Sequence, residues 1–257
     1  MRQNREFFIR WGLIGFAGFV LVSIFGFAVF VQNPQFIQKV PGGAEIFAAS
    51  FEFFSQGQIW LSMIVLAVLL HWTLGWSWLR GFVWTYVLSA GSELLGTQTG
   101  FPFGPYSYTE LLGAKIAGHV PFVIPVSWFT MAFPSFLITR FLLGNRHPVF
   151  QVAGAAFLLT IWDLSLDPAM SLLVPYWTWG QEGIYYGMPL VNLAGWMLTG
   201  LVIMTVYQLL YRNLRVEEKL ARWTLAFYAV NVMLPLGMVI SGGLYGAGVA
   251  TVCALVM

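Results

Sequence analysis

The chain has 257 residues and a formal net charge of +2, with 59% hydrophobic and only 9% charged residues. Average soluble domains carry roughly 25% charged residues, so this little charge cannot cover the surface of a soluble globule of this size. No basic run interleaves with exposed aromatics, which leaves nucleic-acid binding without support, and the single Cys253 rules out an intrachain disulfide framework and a cysteine-based metal site.

A spanning helix needs about 20 mostly apolar residues. In chain order the runs that qualify are Phe7–Val31, Ile59–Leu79, Gly81–Gln98, Val120–Leu143, Pro148–Asp167, Pro189–Tyr211 and Trp223–Ser241. The first follows Arg2, Arg5 and Arg10 and resembles a signal peptide, but it is too long for an apolar signal core and no small-residue cleavage site follows it. It is therefore read as a transmembrane helix. A last run, Leu244–Met257, is short enough to be an eighth span, a re-entrant piece or a truncated end. A tight turn centred on Arg80 separates the second and third spans. The predicted fold is all-α, a polytopic transmembrane bundle of seven or eight spans forming one integral membrane domain over residues 1–257.

Short-loop Lys and Arg favour the cytoplasmic side. With the N-terminus cytoplasmic, Arg2, Arg5, Arg10, Arg80, Arg140, Arg146, Arg212, Arg215, Lys219 and Arg222 all fall inside, and only Lys39 and Lys115 fall outside. A multi-pass protein of the cell membrane is expected. Three longer segments then lie outside. Gln32–Gln58 contains an amphipathic piece, Ala44–Phe54, expected to lie along the interface. Thr99–His119 and Pro168–Met188 are rich in Gly, Pro, Trp and Tyr, and such irregular backbone is tolerated in a bilayer only where protein or water satisfies it.

A carboxylate within a span costs several kcal/mol and faces the bundle interior. Glu93 in the third span and Asp163 and Asp167 in the fifth qualify, and all three fall in outer halves or at an outer end. Asn192 enters the sixth span on that side. Asp163 and Asp167 are four residues apart and share a helix face. Two close carboxylates in a low-dielectric site resist joint ionisation, so one is expected to hold a proton and serve as a general acid. The plainer roles are a helix cap for Asp167 and buried hydrogen bonds for Asp163 and Glu93. Pro168 is expected to stop the fifth helix. His71 reads as a hydrogen-bonded core residue, His147 as a solvated one, and His119 as a neighbour of the acids; the three lack the spacing of a helical zinc site. Tyr106, Tyr108, Trp128, Trp162, Trp177, Trp179, Tyr185, Tyr186 and Trp196 gather in sequence around the same region. Aromatic faces there attract a desolvated cation or line a slot for a polyene.

The order of motifs resembles a known family. Glu93-Leu-Leu-Gly-Thr-Gln-Thr-Gly-Phe-Pro-Phe-Gly-Pro-Tyr-Ser-Tyr108, Val120-Pro-Phe-Val-Ile-Pro-Val-Ser-Trp128, Trp162-Asp-Leu-Ser-Leu-Asp-Pro168, Trp177-Thr-Trp179, Gly183-Ile-Tyr-Tyr-Gly-Met-Pro189 and Asn192-Leu-Ala-Gly-Trp196 are similar to the carotenoid-biosynthesis membrane proteins of the CruF type. The resemblance covers Gly91–Gly200. It implies a carotenoid 1,2-hydratase, a hydro-lyase that adds water across the terminal double bond of an acyclic ψ end group such as that of lycopene or γ-carotene. It implies no redox cofactor and no metal, and as partners a lipid-soluble carotenoid, the membrane lipids and other enzymes of the same pathway.

That chemistry fits the residues. Protonating a trisubstituted alkene at its less substituted carbon leaves a tertiary carbocation, which must survive in a dry, aromatic pocket until water reaches it. Asp163 is the expected acid, with Glu93 or Asp167 handling the water. Tyr106, Tyr108, Trp128, Trp162, Trp179, Tyr186, Asn192 and Trp196 are the expected substrate contacts. Other readings stay open. Asp163 and Asp167 resemble half of the aspartate-rich site of a membrane prenyltransferase, a carotenoid cyclase shares the protonation step, and a polyene-binding protein or transporter is the non-enzyme alternative. A retinal Schiff base is excluded, because Lys39, Lys115 and Lys219 all lie outside mid-membrane positions.

Overall fold

The computed structural model describes residues 2–144 and 146–257, with side chains from residue 5 onward; Arg2, counted above among the inside charges, thus has a side chain outside the described residues. Among the described residues seven long helices form the bundle. They are α1 (Arg2–Gly26), α3 (Gly43–Leu74), α4 (Trp78–Thr99), α5 (Val123–Leu143), α6 (Pro148–Asp167), α7 (Val191–Leu210) and α8 (Glu218–Ser241), with a four-residue α2 (Gln35–Gln38) between the first two. Among the described residues six helical stretches are long and apolar enough to cross a membrane, and one of these, Gly43–Thr99, holds both α3 and α4. A short 3₁₀ turn, Gly75–Ser77, divides it, with Gly75 at φ 61°, a conformation open to glycine. The turn thus lies before Arg80, which sits in the first turns of α4, and not around it. The last helix, α9 (Tyr245–Val256), has 12 residues. At 1.5 Å per residue it is about 18 Å long, short of a hydrocarbon core about 30 Å thick.

Apolar side chains at Ile14, Leu21, Val83, Val87, Leu198, Val202 and Leu209 point outward and are exposed, as a lipid-facing surface requires. Along α5, by contrast, nearly every residue from Val123 to Thr139 is buried. This helix packs against α3, α4, α6 and α8 and forms the axis of the bundle. Close approach of α6 and α7 is permitted at Gly200, where an added Cβ would lie 3.2 Å from Ala156.

Charge is segregated along the axis. Glu6 near the start of α1 pairs with Lys219 of α8, which brings the N-terminus to the end that carries Arg140 and Arg222. There Arg140 donates through Nε to the Leu214 carbonyl at 2.8 Å and through Nη1 to Gln208 at 3.1 Å, closing the α7–α8 connection. Lys115 lies at the opposite, loop-covered end, where it binds Glu110 at 2.7 Å.

Three further details differ from the sequence expectations. Ala44–Phe54 is continuous with the spanning part of α3 and not a separate interfacial helix. Helical winding continues past Pro168 as a π-turn, Pro168–Leu173, whose wider coil accommodates a residue with no N–H to donate. His71 is half-buried against Trp76, and its Nδ1 has no hydrogen-bond partner among the described residues.

The loop-covered end contains two small sheets. Strands β1 (Tyr106–Tyr108) and β4 (Trp177–Trp179) pair antiparallel, with Tyr106 opposite Trp179 and Tyr108 opposite Trp177. The second sheet is a two-residue pairing of β2 (Lys115–Ile116) with β3 (Val120–Pro121).

Candidate functional site

Side chains alternate across a strand, so residues two apart share a face. In the β1–β4 ribbon this sends Tyr106, Tyr108, Trp177 and Trp179 to one face and leaves Ser107 and Thr178 exposed on the other. The aromatic face meets the acids at the ends of α4 and α6.

Glu93 is 4% exposed and is held by three donors. Its Oε2 accepts from the hydroxyl of Tyr106 and, at 2.8 Å, from that of Tyr108; its Oε1 accepts from Trp128 Nε1 at 2.9 Å. Gly96, one turn along α4, makes the Tyr106 approach possible, because an added Cβ would lie 3.0 Å from that ring and its hydroxyl. Burial, and next the adjacent Glu93 carboxylate, holds the phenols of Tyr106 and Tyr108 well above their ordinary range, so both keep a proton to donate.

The two aspartates of α6 lie on one face, four residues apart. Asp167 Oδ1 accepts from Ser171 at 2.8 Å and Trp179 Nε1 at 3.0 Å, while its Oδ2 has only two long contacts, to Trp177 Nε1 and Asn192 Nδ2, each at 3.3 Å. The same Asn192 amide reaches Asp163 Oδ2 at 2.7 Å and so ties the two carboxyl groups together. Asp163 is fully buried, and its Oδ1 has no partner among the described residues. Trp128 stacks on Trp196 with ring centroids 4.1 Å apart, and Trp162 meets Trp196 edge-on at 6.0 Å.

These groups close the inner end of a cavity of about 640 Å³. Glu93, Asp167 and Asn192 are polar points in a wall that is otherwise mainly aromatic and aliphatic, with Tyr106, Tyr108, Trp128, Trp162, Trp179 and Trp196 among the lining side chains. The other end runs between α1, α2 and α3, where the lining residues Phe25, Phe30, Phe36, Val40 and Ile46 are exposed. The mouth therefore opens sideways onto the apolar flank of the bundle. Such a shape suits a long hydrocarbon inserted end-first towards the acids.

Most expected site residues are thus brought together, and two stand apart from the cavity wall. Asp163 lies one layer behind it, reached through Asn192. Tyr186, at φ 52°, packs over Gly246 of α9 beside a separate shallow depression. His119 is exposed and does not line the cavity. Phe103, Trp177 and Ser171 belong to the site without having been singled out as binding residues. Trp177 was readable, since it stands two residues from Trp179 on one strand and must share its face; Ser171 was not, because a loop was expected after Pro168.

A family described as carotenoid biosynthesis protein matches residues 55–257. Among curated proteins, the bisanhydrobacterioruberin hydratase of Haloarcula japonica is 36% identical over 121 residues. That alignment covers 46% of this chain and 41% of the relative, so the likeness spans less than half of either protein. No solved structure matches the chain. The family match takes in α4 to α9 with Glu93, Asp163, Asp167 and the indole and phenol rings around them, and the chain belongs to the carotenoid biosynthesis protein family.

Proposed function

We propose that the chain is a carotenoid 1,2-hydratase of the cell membrane, adding water across the terminal double bond of an acyclic ψ end group. One observation carries this reading: an apolar cavity open to the side of a membrane bundle ends on carboxyl groups set among indole and phenol rings. The likeness to a Haloarcula protein that is itself a hydratase supports it.

In this reading the aspartate pair supplies the proton through Asp167, the member that faces the cavity, and Asp163 behind it replenishes the pair. The alkene π electrons take that proton at the less substituted carbon, leaving a tertiary cation. Trp128, Trp162 and Trp196 shelter it. A water lone pair forms the new C–O bond, and the extra proton of that water passes to Glu93, which three donors hold ready as an acceptor. Proton exchange between the carboxyl groups restores the starting state. The net change is one water added, with no oxidant or reductant.

Expression in a host that accumulates lycopene or γ-carotene tests the reading. Products one water heavier per ψ end are expected. β-Ionone rings would indicate a cyclase, and unchanged carotenoids would reject both. In the same host Asp167→Asn is expected to abolish product, whereas Asp163→Asn is expected to slow its formation.

A further inference from the structure

The wall of the cavity facing α3 and α8 carries a second polar cluster that the reaction above does not use. Ser55, Gln58 and Ser62 follow the i, i+3, i+7 spacing of one helical face, and all three line the cavity. Ser55 is occupied, accepting from the Tyr176 hydroxyl at 2.7 Å. Ser62 donates to Asn231 Oδ1 at 2.9 Å, and Asn231 Nδ2 donates to the Phe227 carbonyl at 3.0 Å. Gln58 differs. It is 8% exposed, and its Oε1 has no partner among the described residues. Beside this cluster Pro235, which has no N–H, leaves the Asn231 carbonyl without its helical donor four residues on.

A buried acceptor is left unanswered in native structures only for a reason. Here an amide oxygen on the wall of an apolar cavity is left unanswered, so the missing partner is a donor. Depth along the bundle points the same way. Gln58 and Glu93 stand about 24 Å and about 22 Å of helix from the Gly75–Ser77 turn, so the neutral cluster lies level with the acid.

We propose that Gln58, positioned beside the Ser62–Asn231 pair, binds a hydroxyl group inside the cavity: that of the reacting water, or that of an alcohol already carried by the polyene. A neutral acceptor suits either, because it orients an O–H without placing a second negative charge against the developing cation. The inference rests on the carotenoid reading of the cavity.

Its test uses the purified full-length protein in detergent, with binding of lycopene and of monohydroxylated lycopene followed by quenching of tryptophan fluorescence, and turnover of lycopene measured alongside. If the hydroxyl belongs to the polyene, Gln58→Leu weakens binding of the alcohol about tenfold, leaves lycopene binding within about twofold, and Gln58→Glu, which keeps an acceptor oxygen, restores it. If it belongs to water, both polyenes bind as before while kcat on lycopene falls about tenfold at unchanged KM. Unchanged binding and turnover in Gln58→Leu, or a uniform loss that follows a lowered melting temperature, overturns the proposal. Absence of quenching by either polyene in the unaltered protein instead rejects the carotenoid reading itself, a different outcome from quenching that is blind to Gln58.

Discussion

At Glu93 every hydrogen-bond contact is a donor: two phenols and an indole meet two carboxylate oxygens. Replacing it tests both the fold and the chemistry. Glu93→Gln puts an amide N–H₂ where one carboxylate oxygen accepted, so at least one buried phenol or indole hydrogen loses its acceptor, at a cost of about 1–3 kcal/mol. Thermal unfolding in detergent should register that loss, and hydration of lycopene should fall by about 10²-fold or more as the acceptor for water's proton disappears. Full turnover in that variant would move the acceptor elsewhere. The residue identities were legible from the sequence, since an acid in an apolar span announces itself. Their division into a cavity-facing Asp167 and a recessed Asp163 was not, because i, i+4 spacing gives a shared helix face but not which neighbour covers it.

At the scale of elements, the site depends on helices that let loops approach. Gly195 of α7 faces the Pro102–Phe103 segment, and an added Cβ would lie 2.6 Å from the Phe103 ring and 2.8 Å from the Pro102 carbonyl. Backbone cannot yield as a side-chain tip does, so Gly195→Ala should lower stability by about 1–3 kcal/mol and displace Phe103 from the cavity wall. Gly91 of α4 has open space around it, and Gly91→Ala should be neutral or slightly stabilising in the same melting experiment. Helices with uninterrupted apolar runs were readable to within a few residues, and Pro148–Asp167 agrees at both ends. What sequence periodicity missed are joints. Gly43–Leu74 runs unbroken because the Ser55–Gln58 stretch, polar enough to read as a loop, turns Ser55 and Gln58 into a cavity that only the assembled bundle creates. The π-turn after Asp167 escaped for a similar reason, since proline argues against regular helix but is compatible with a widened coil.

For the molecule as a whole, segregation of charge gives an orientation that is open to measurement. By the positive-inside tendency we expect the basic end, with Arg140 and Lys219, in the cytoplasm and the β1–β4 ribbon outside. In a Cys253→Ser background, Glu110→Cys, at an exposed position of the loop-covered end, should react with a membrane-impermeant maleimide on intact cells, whereas Arg212→Cys should react only after permeabilisation. The reverse pattern would invert the bundle and put the acids at the cytoplasmic face. The sideways mouth framed by Phe25, Phe36 and Ile46 has a consequence for kinetics. A ligand admitted there arrives by diffusion in two dimensions, so the protein responds to molecules per unit area of bilayer and not to molecules per litre. Added lipid that carries no substrate should therefore act as a diluent, slowing turnover even when the amounts of protein and polyene in the tube stay fixed.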